Sequence, residues 1–137
     1  MSTEIPQRET ILVVDDGEPV RKMVCAMLEQ SGYAVIEAGD GVEALRILET
    51  PRAVHLVLTD MMMPVMGGTE LARRAARLRP ELRVLFMSGY TSDPLVQKIG
   101  RTPALLLPKP FTASDLARKV RQVLDQPWSG LPNSSSE

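Results

Sequence analysis

Five polar residues stand where apolar runs end: Asp15 and Asp16 after TILVV, Asp60 closing VHLVLTD, Ser88 in LRVLFMSG and Lys109 in ALLLPKP. The stretch VLTDMMMPVMGG, residues 57–68, poses the problem most sharply, because an aspartate interrupts what would otherwise read as a fully buried strand. Burying an unpaired carboxylate is costly or raises its pKa, so Asp60 calls for a metal, a lysine or more polar company. Three carboxylates brought together at neutral pH repel one another unless a cation sits among them. Hard oxygen ligands with room for water suit Mg2+ better than a transition metal. Beside such an ion an aspartate is a workable phosphoryl acceptor. Asp60 would be the nucleophile; Lys109 would pair with its carboxylate before transfer and with a phosphoryl oxygen after it, and the Ser88 hydroxyl would donate to another.

That chemistry requires elements that bring the five residues together. TILVV reads as a strand buried on both faces. In EPVRKMVCAMLEQSG the residues Val20, Met23, Val24, Met27 and Leu28 recur at helical spacing, with Pro19 in the first turn and Gly32 just past the end. Met23, Met27 and Cys25 are expected to fill the core. YAVIEA gives a second strand, and DGVEALRILET a second helix capped by Asp40 and stopped before Pro51. VHLVLTD is the third strand, followed by TELARRAARLRP with Leu71, Ala75 and Leu78 on one side and arginines on the other. LRVLFMSG is a fourth strand, SDPLVQKIG a short helix, ALLLPKP a fifth strand and TASDLARKVRQVLD a final helix. Such alternation implies an α/β fold, a parallel sheet with helices on both faces, because each crossover returns over one face. Functional groups of such folds gather at the carboxyl ends of the strands. The five polar residues are therefore expected to meet at one edge.

Composition narrows the setting. A chain of 137 residues with 44% hydrophobic residues builds one domain with a real core. A formal net charge of -1 offers no basic surface for a phosphate backbone, so no nucleic acid is expected as a partner by itself. Cys25 is the single cysteine, which excludes an internal disulfide, and no cysteine or histidine pair stands at zinc spacing. His55, between Val54 and Leu56, is expected to have a structural role. The polar start MSTEIPQRET is no signal peptide, no apolar run is long enough to insert in a membrane, and a reducing cytoplasm is the expected location. Residues 1–8 read as an extension, 9–126 as the domain and 127–137 as a flexible tail, in which Trp128 either packs back or marks a linker remnant.

Taken together, LVVDD, LTDMMMPVMGG, MSGYT and LPKPF resemble the receiver domain of bacterial two-component response regulators, in the right order over roughly residues 9–126. The resemblance implies a flavodoxin-like sheet of five strands in the order 2-1-3-4-5. It implies transfer of a phosphoryl group to Asp60 from a phosphohistidine of a histidine kinase or histidine phosphotransfer domain. Mg2+ would be held by Asp15, Asp16, Asp60 and the backbone carbonyl of Met62. It also implies a cis peptide bond at Lys109-Pro110 aiming the lysine inward, and it matches Pro64 and Gly68 to the loop after the acceptor. Met61 and Met62 then read as apolar shielding of the site and Met63 as packing underneath. Kinase contact is expected at Arg21 and Lys22, exposed on the first helix, and output near the helix at 92–100 and the fifth strand. The family's phosphorylation-dependent homodimers leave that state open here.

Two departures stand out. Leu106 occupies a position where relatives often carry an aromatic that swings inward on phosphorylation, and Tyr90, in the MSGYT form seen in receivers of hybrid sensor kinases, is the other switch candidate. Gly67 replaces a commonly acidic residue, a change expected to affect loop flexibility alone. Neither Met62 nor Tyr90 offers an amide or carboxylate to orient a water, so self-dephosphorylation is expected to be slow. The alternatives are a degenerate interaction module and a Mg2+-dependent phosphohydrolase. Against the latter, Met62 stands where haloacid dehalogenase-like phosphatases place a second aspartate.

Overall fold

In the computed structural model, residues 8–89 and 106–128 are described. The elements follow as β1 (Thr10–Val14), α1 (Glu18–Gln30), β2 (Ala34–Ala38), α2 (Gly41–Leu48), β3 (Leu56–Asp60), α3 (Gly68–Leu78), β4 (Arg83–Ser88), β5 (Leu106–Pro108) and α4 (Ala113–Asp125). The helix expected over 92–100 lies outside the described residues. All neighbouring strands pair in parallel, in the order β2-β1-β3-β4-β5, as expected.

The unbroken apolar runs of β1 and β3 follow from this topology, since a central parallel strand is buried on both faces. Ile11, Val13, Leu56 and Leu58 join one core with Val24 and Leu28 of α1 and Leu116, Val120 and Val123 of α4. Leu12, Val14 and Val57 join another with Ala44 and Leu48 of α2 and Leu71 and Ala75 of α3. Alternate residues of one strand thus serve opposite layers.

Local chemistry ends the helices where the sequence indicates. Pro19 sits in the first turn of α1, and Gly32 follows its end at φ 97°. There the Gly32 and Tyr33 N–H groups donate to the Glu29 and Leu28 carbonyls at 3.0 and 3.1 Å, a Schellman-type stop. Asp40 caps α2 by accepting the Glu43 N–H at 2.8 Å. Thr112 and Asp115 form a reciprocal capping box on α4. His55 is structural: its Nδ1 accepts the Thr10 N–H at 2.9 Å, tying β1 to the approach to β3. No described helix is long and apolar enough to cross a membrane.

Some core expectations change. Met23 is 48% exposed and Leu78 44% exposed; each lies at the margin of its helix's apolar stripe, where a periodic pattern continues past the packed contact. Met61 is buried, whereas Met62 is exposed and Met63 half-buried against the α2–α3 core. Met61 therefore packs beneath the site instead of shielding it, and Met62 alone of the three stands open to solvent.

Candidate functional site

Strand register brings the polar residues together. Val14 pairs with Thr59, so Asp15 continues β1 level with Asp60 at the end of β3. Asp60 pairs with Met87, which precedes Ser88, and Ser88 pairs with Pro108, which precedes Lys109. One carboxylate oxygen each from Asp15, Asp16 and Asp60 lie within 4.8 Å of one another. Lys109 Nζ stands 3.8 Å from Asp15 Oδ2 and 3.7 Å from Asp60 Oδ1. Ser88 is buried at the end of β4, and its carbonyl accepts the Lys109 N–H at 2.7 Å. The Lys109-Pro110 peptide is cis, as the sequence resemblance implies.

The three carboxylates form an acidic cluster that could hold a metal ion. Asp15 is buried; its Oδ1 accepts the Gly17 N–H at 2.8 Å, while its Oδ2 is fully enclosed with no hydrogen-bond partner. An enclosed carboxylate oxygen without a hydrogen bond, faced only by the Lys109 ammonium at 3.8 Å, costs free energy until a closer cation meets it. The Asp60 pKa is raised, chiefly by burial and further by the Asp15 and Asp16 charges, against the pull of Lys109 and of the Met62 backbone N–H. Lys109, more than 3.5 Å from both carboxylates, stops short of a hydrogen bond to either. Three converging carboxylates, one orphaned oxygen and one distant ammonium fit a hard divalent ion bound through oxygen.

Beneath this layer lie contacts that the motifs name residues for but do not explain. Gly68 packs so closely under the acceptor that a β-carbon there would collide with the Asp60 carbonyl oxygen and come within 3.0 Å of Met61 Cα. Gly67 adopts φ -73° and ψ 170°, ordinary extended backbone, and caps α3 without a side-chain hydrogen bond. What an acidic residue would change at this position is thus the cap, beyond any effect on flexibility. Val65 has φ 70° and is 99% exposed, while the Met66 N–H donates to the Pro64 carbonyl at 2.7 Å, closing a γ-turn around it.

Arg21 departs from expectation. Its side chain is 15% exposed, with Nε donating to Glu37 Oε1 at 2.9 Å and Nη1 to the Asp15 carbonyl at 2.8 Å. Lys22 is 58% exposed but also bound to Glu37, at 2.9 Å. The spacing carried a signal: a long cation one turn into a helix that starts just after Asp15-Asp16 can reach back to that loop.

Of the two switch candidates, Tyr90 lies outside the described residues. Leu106 is half-buried against Met61, Ala72, Val84 and Phe86. Trp128 packs against the same cluster, whose members come from β4, α3 and the residue after β3, so it packs back on the domain.

The chain has many counterparts among known proteins. The family described as response regulator receiver domain matches residues 11–121. The sensor kinase CckA of Brucella abortus is 35% identical over 91% of this chain, which spans 13% of that protein's length. The response regulator receiver protein CpdR of the same organism is 35% identical over 83% of this chain and 95% of its own. The solved chemotaxis protein CheY4 of Vibrio cholerae superposes with a TM-score of 0.75 at 29% identity, covering 85% of this chain and 99% of that one.

Proposed function

Since the chain belongs to the response regulator receiver domain family, we propose that Asp60 accepts a phosphoryl group from a phosphohistidine on a histidine kinase or a histidine phosphotransfer domain. The observation that carries this reading is the placement of Asp60 Oδ1 3.7 Å from Lys109 Nζ, within a triad of carboxylates that gathers within 4.8 Å. Asp60 attacks through a carboxylate oxygen, the bond from phosphorus to the donor imidazole nitrogen breaks, and the imidazole leaves. Lys109 moves from Asp60 toward a phosphoryl oxygen, and Ser88, at the end of the next strand, donates its hydroxyl to another. Asp15, Asp16, Asp60 and the Met62 carbonyl would hold Mg2+, which, when bound, neutralises charge on the phosphoryl oxygens. The distance that now separates Lys109 from both carboxylates leaves it able to exchange partners.

The test is intact-protein mass after incubation with Mg2+ and acetyl phosphate, beside Asp60→Asn and a chelated sample. Gain of one phosphoryl group that needs both Asp60 and the metal is the expected result. If a folded, Mg2+-binding protein takes up nothing from this donor or from a phosphorylated histidine phosphotransfer domain, the phosphoacceptor reading fails and a degenerate interaction module takes its place.

A further inference from the structure

We propose that Arg21 is a positioning residue for the cation site, acting through the backbone of Asp15; the inference rests on the Mg2+ reading above. The loop from Asp15 to Gly17 leaves the β-ladder after Val14, whose register with β2 ends at Ala38. Beyond that point the Asp15 N–H reaches the Ala38 carbonyl at a long 3.3 Å. The Asp15 carbonyl accepts a short 2.8 Å bond from Arg21 Nη1.

Arg21 is itself held at both ends. Its backbone N–H donates to the Gly17 carbonyl at 2.9 Å, making the first helical bond of α1, and its Nε is fixed by Glu37 of β2 at 2.9 Å. One planar guanidinium therefore joins the metal loop, the start of α1 and the neighbouring strand. A lysine at this position could place its charge there but not span both partners with a rigid fork. The clamp sets the direction in which the Asp15 and Asp16 side chains leave the backbone. Asp15 Oδ1 accepts the Gly17 N–H, and the bond from Arg21 to the Asp15 carbonyl holds the same short stretch of backbone from which Oδ2, without a hydrogen bond of its own, is presented.

Position and charge make opposite predictions, which gives the proposal its test. A positive charge beside an acidic site weakens cation binding, so on charge alone Arg21→Ala would bind Mg2+ more tightly, Arg21→Lys would change nothing and Glu37→Gln would bind less tightly. As a positioning residue, Arg21 gives a different pattern: Arg21→Lys and Arg21→Ala both weaken Mg2+ affinity about tenfold, the loss of one charge-assisted hydrogen bond. Glu37→Gln, which releases the far end of the fork, weakens it less.

Affinity is read by titration calorimetry with Mg2+ alone, after thermal melts in chelator have shown each variant folded. Phosphoryl uptake from acetyl phosphate gives the second readout. The Mg2+ concentration for half-maximal rate rises by the same factor as the dissociation constant, while the rate at saturating Mg2+ stays near wild type. Wild-type affinity in Arg21→Lys, or tighter binding in Arg21→Ala, would overturn the proposal. If Arg21→Ala does not fold, Arg21→Lys decides alone, since Glu37→Gln weakens binding on either reading. Absence of Mg2+ binding by the wild-type protein would overturn the metal reading, and this inference with it.

Discussion

Burial makes the ionised form of Asp60 costly, and that cost has a measurable sign. Its folded pKa is raised above the ordinary value of roughly 3.9, so the native state holds a proton there more tightly than the unfolded chain. The stabilisation from that proton is complete below the unfolded value and is lost as pH rises through the folded one. Asp60→Asn escapes the loss. In chelator at pH 7 the variant should melt higher than wild type, with the difference shrinking as pH falls toward about 4; a constant difference across a pH series of melts would contradict this. Met62, exposed at the rim, bears on the lifetime of the phosphorylated state. Met62→Asn introduces an amide able to orient water and should shorten that lifetime by up to ~100-fold, measured by loss of the phosphorylated mass after donor removal. Val65 holds a left-handed conformation with a β-branched side chain that touches almost nothing. Val65→Gly should therefore raise stability by about 1 kcal/mol in urea melts, the left-handed penalty partly offset by unfolded-chain entropy.

Helices and strands were the legible level of this sequence. The double-faced apolar runs marked β1 and β3, the proline, glycine and Asp40 marked helix ends, and parallel alternation sent Asp15, Asp60, Ser88 and Lys109 to one edge. What escaped was long-range packing at element margins. Periodicity assigned Met23 and Leu78 inward, but each stays nearly half exposed. Arg21 reads as a surface cation until β2 is seen to place Glu37 opposite it. Gly68 belongs to the same class, for its importance is the nearness of the Asp60 carbonyl, a contact set by how α3 docks. Gly68→Ala must push α3 or the acceptor strand aside. It should cost about 2 kcal/mol of stability and slow phosphoryl uptake more than Gly67→Ala does, as checked by denaturant melts and donor kinetics on both variants.

At the scale of the whole molecule, the sheet edge that carries the acceptor and the segment just after α4 share a packing unit. Met61, next to Asp60, lies in one buried cluster with Ala72, Val84 and Phe86, and Leu106 and Trp128 pack against it. Arg83 reinforces the return of the chain by donating to the carbonyls of Val123 at 2.9 Å and Gln126 at 2.7 Å. Trp128→Ala should cost about 2 kcal/mol, less than a fully buried aromatic because the indole is partly exposed, while leaving Mg2+ affinity within twofold; urea melts and calorimetry test the two halves. Trp128 is also the chain's single tryptophan. The unlabelled protein is therefore its own optical gauge: its indole emission arises from one chromophore, seated one packing layer from the acceptor, and a change in colour or quenching during turnover reports directly on that layer.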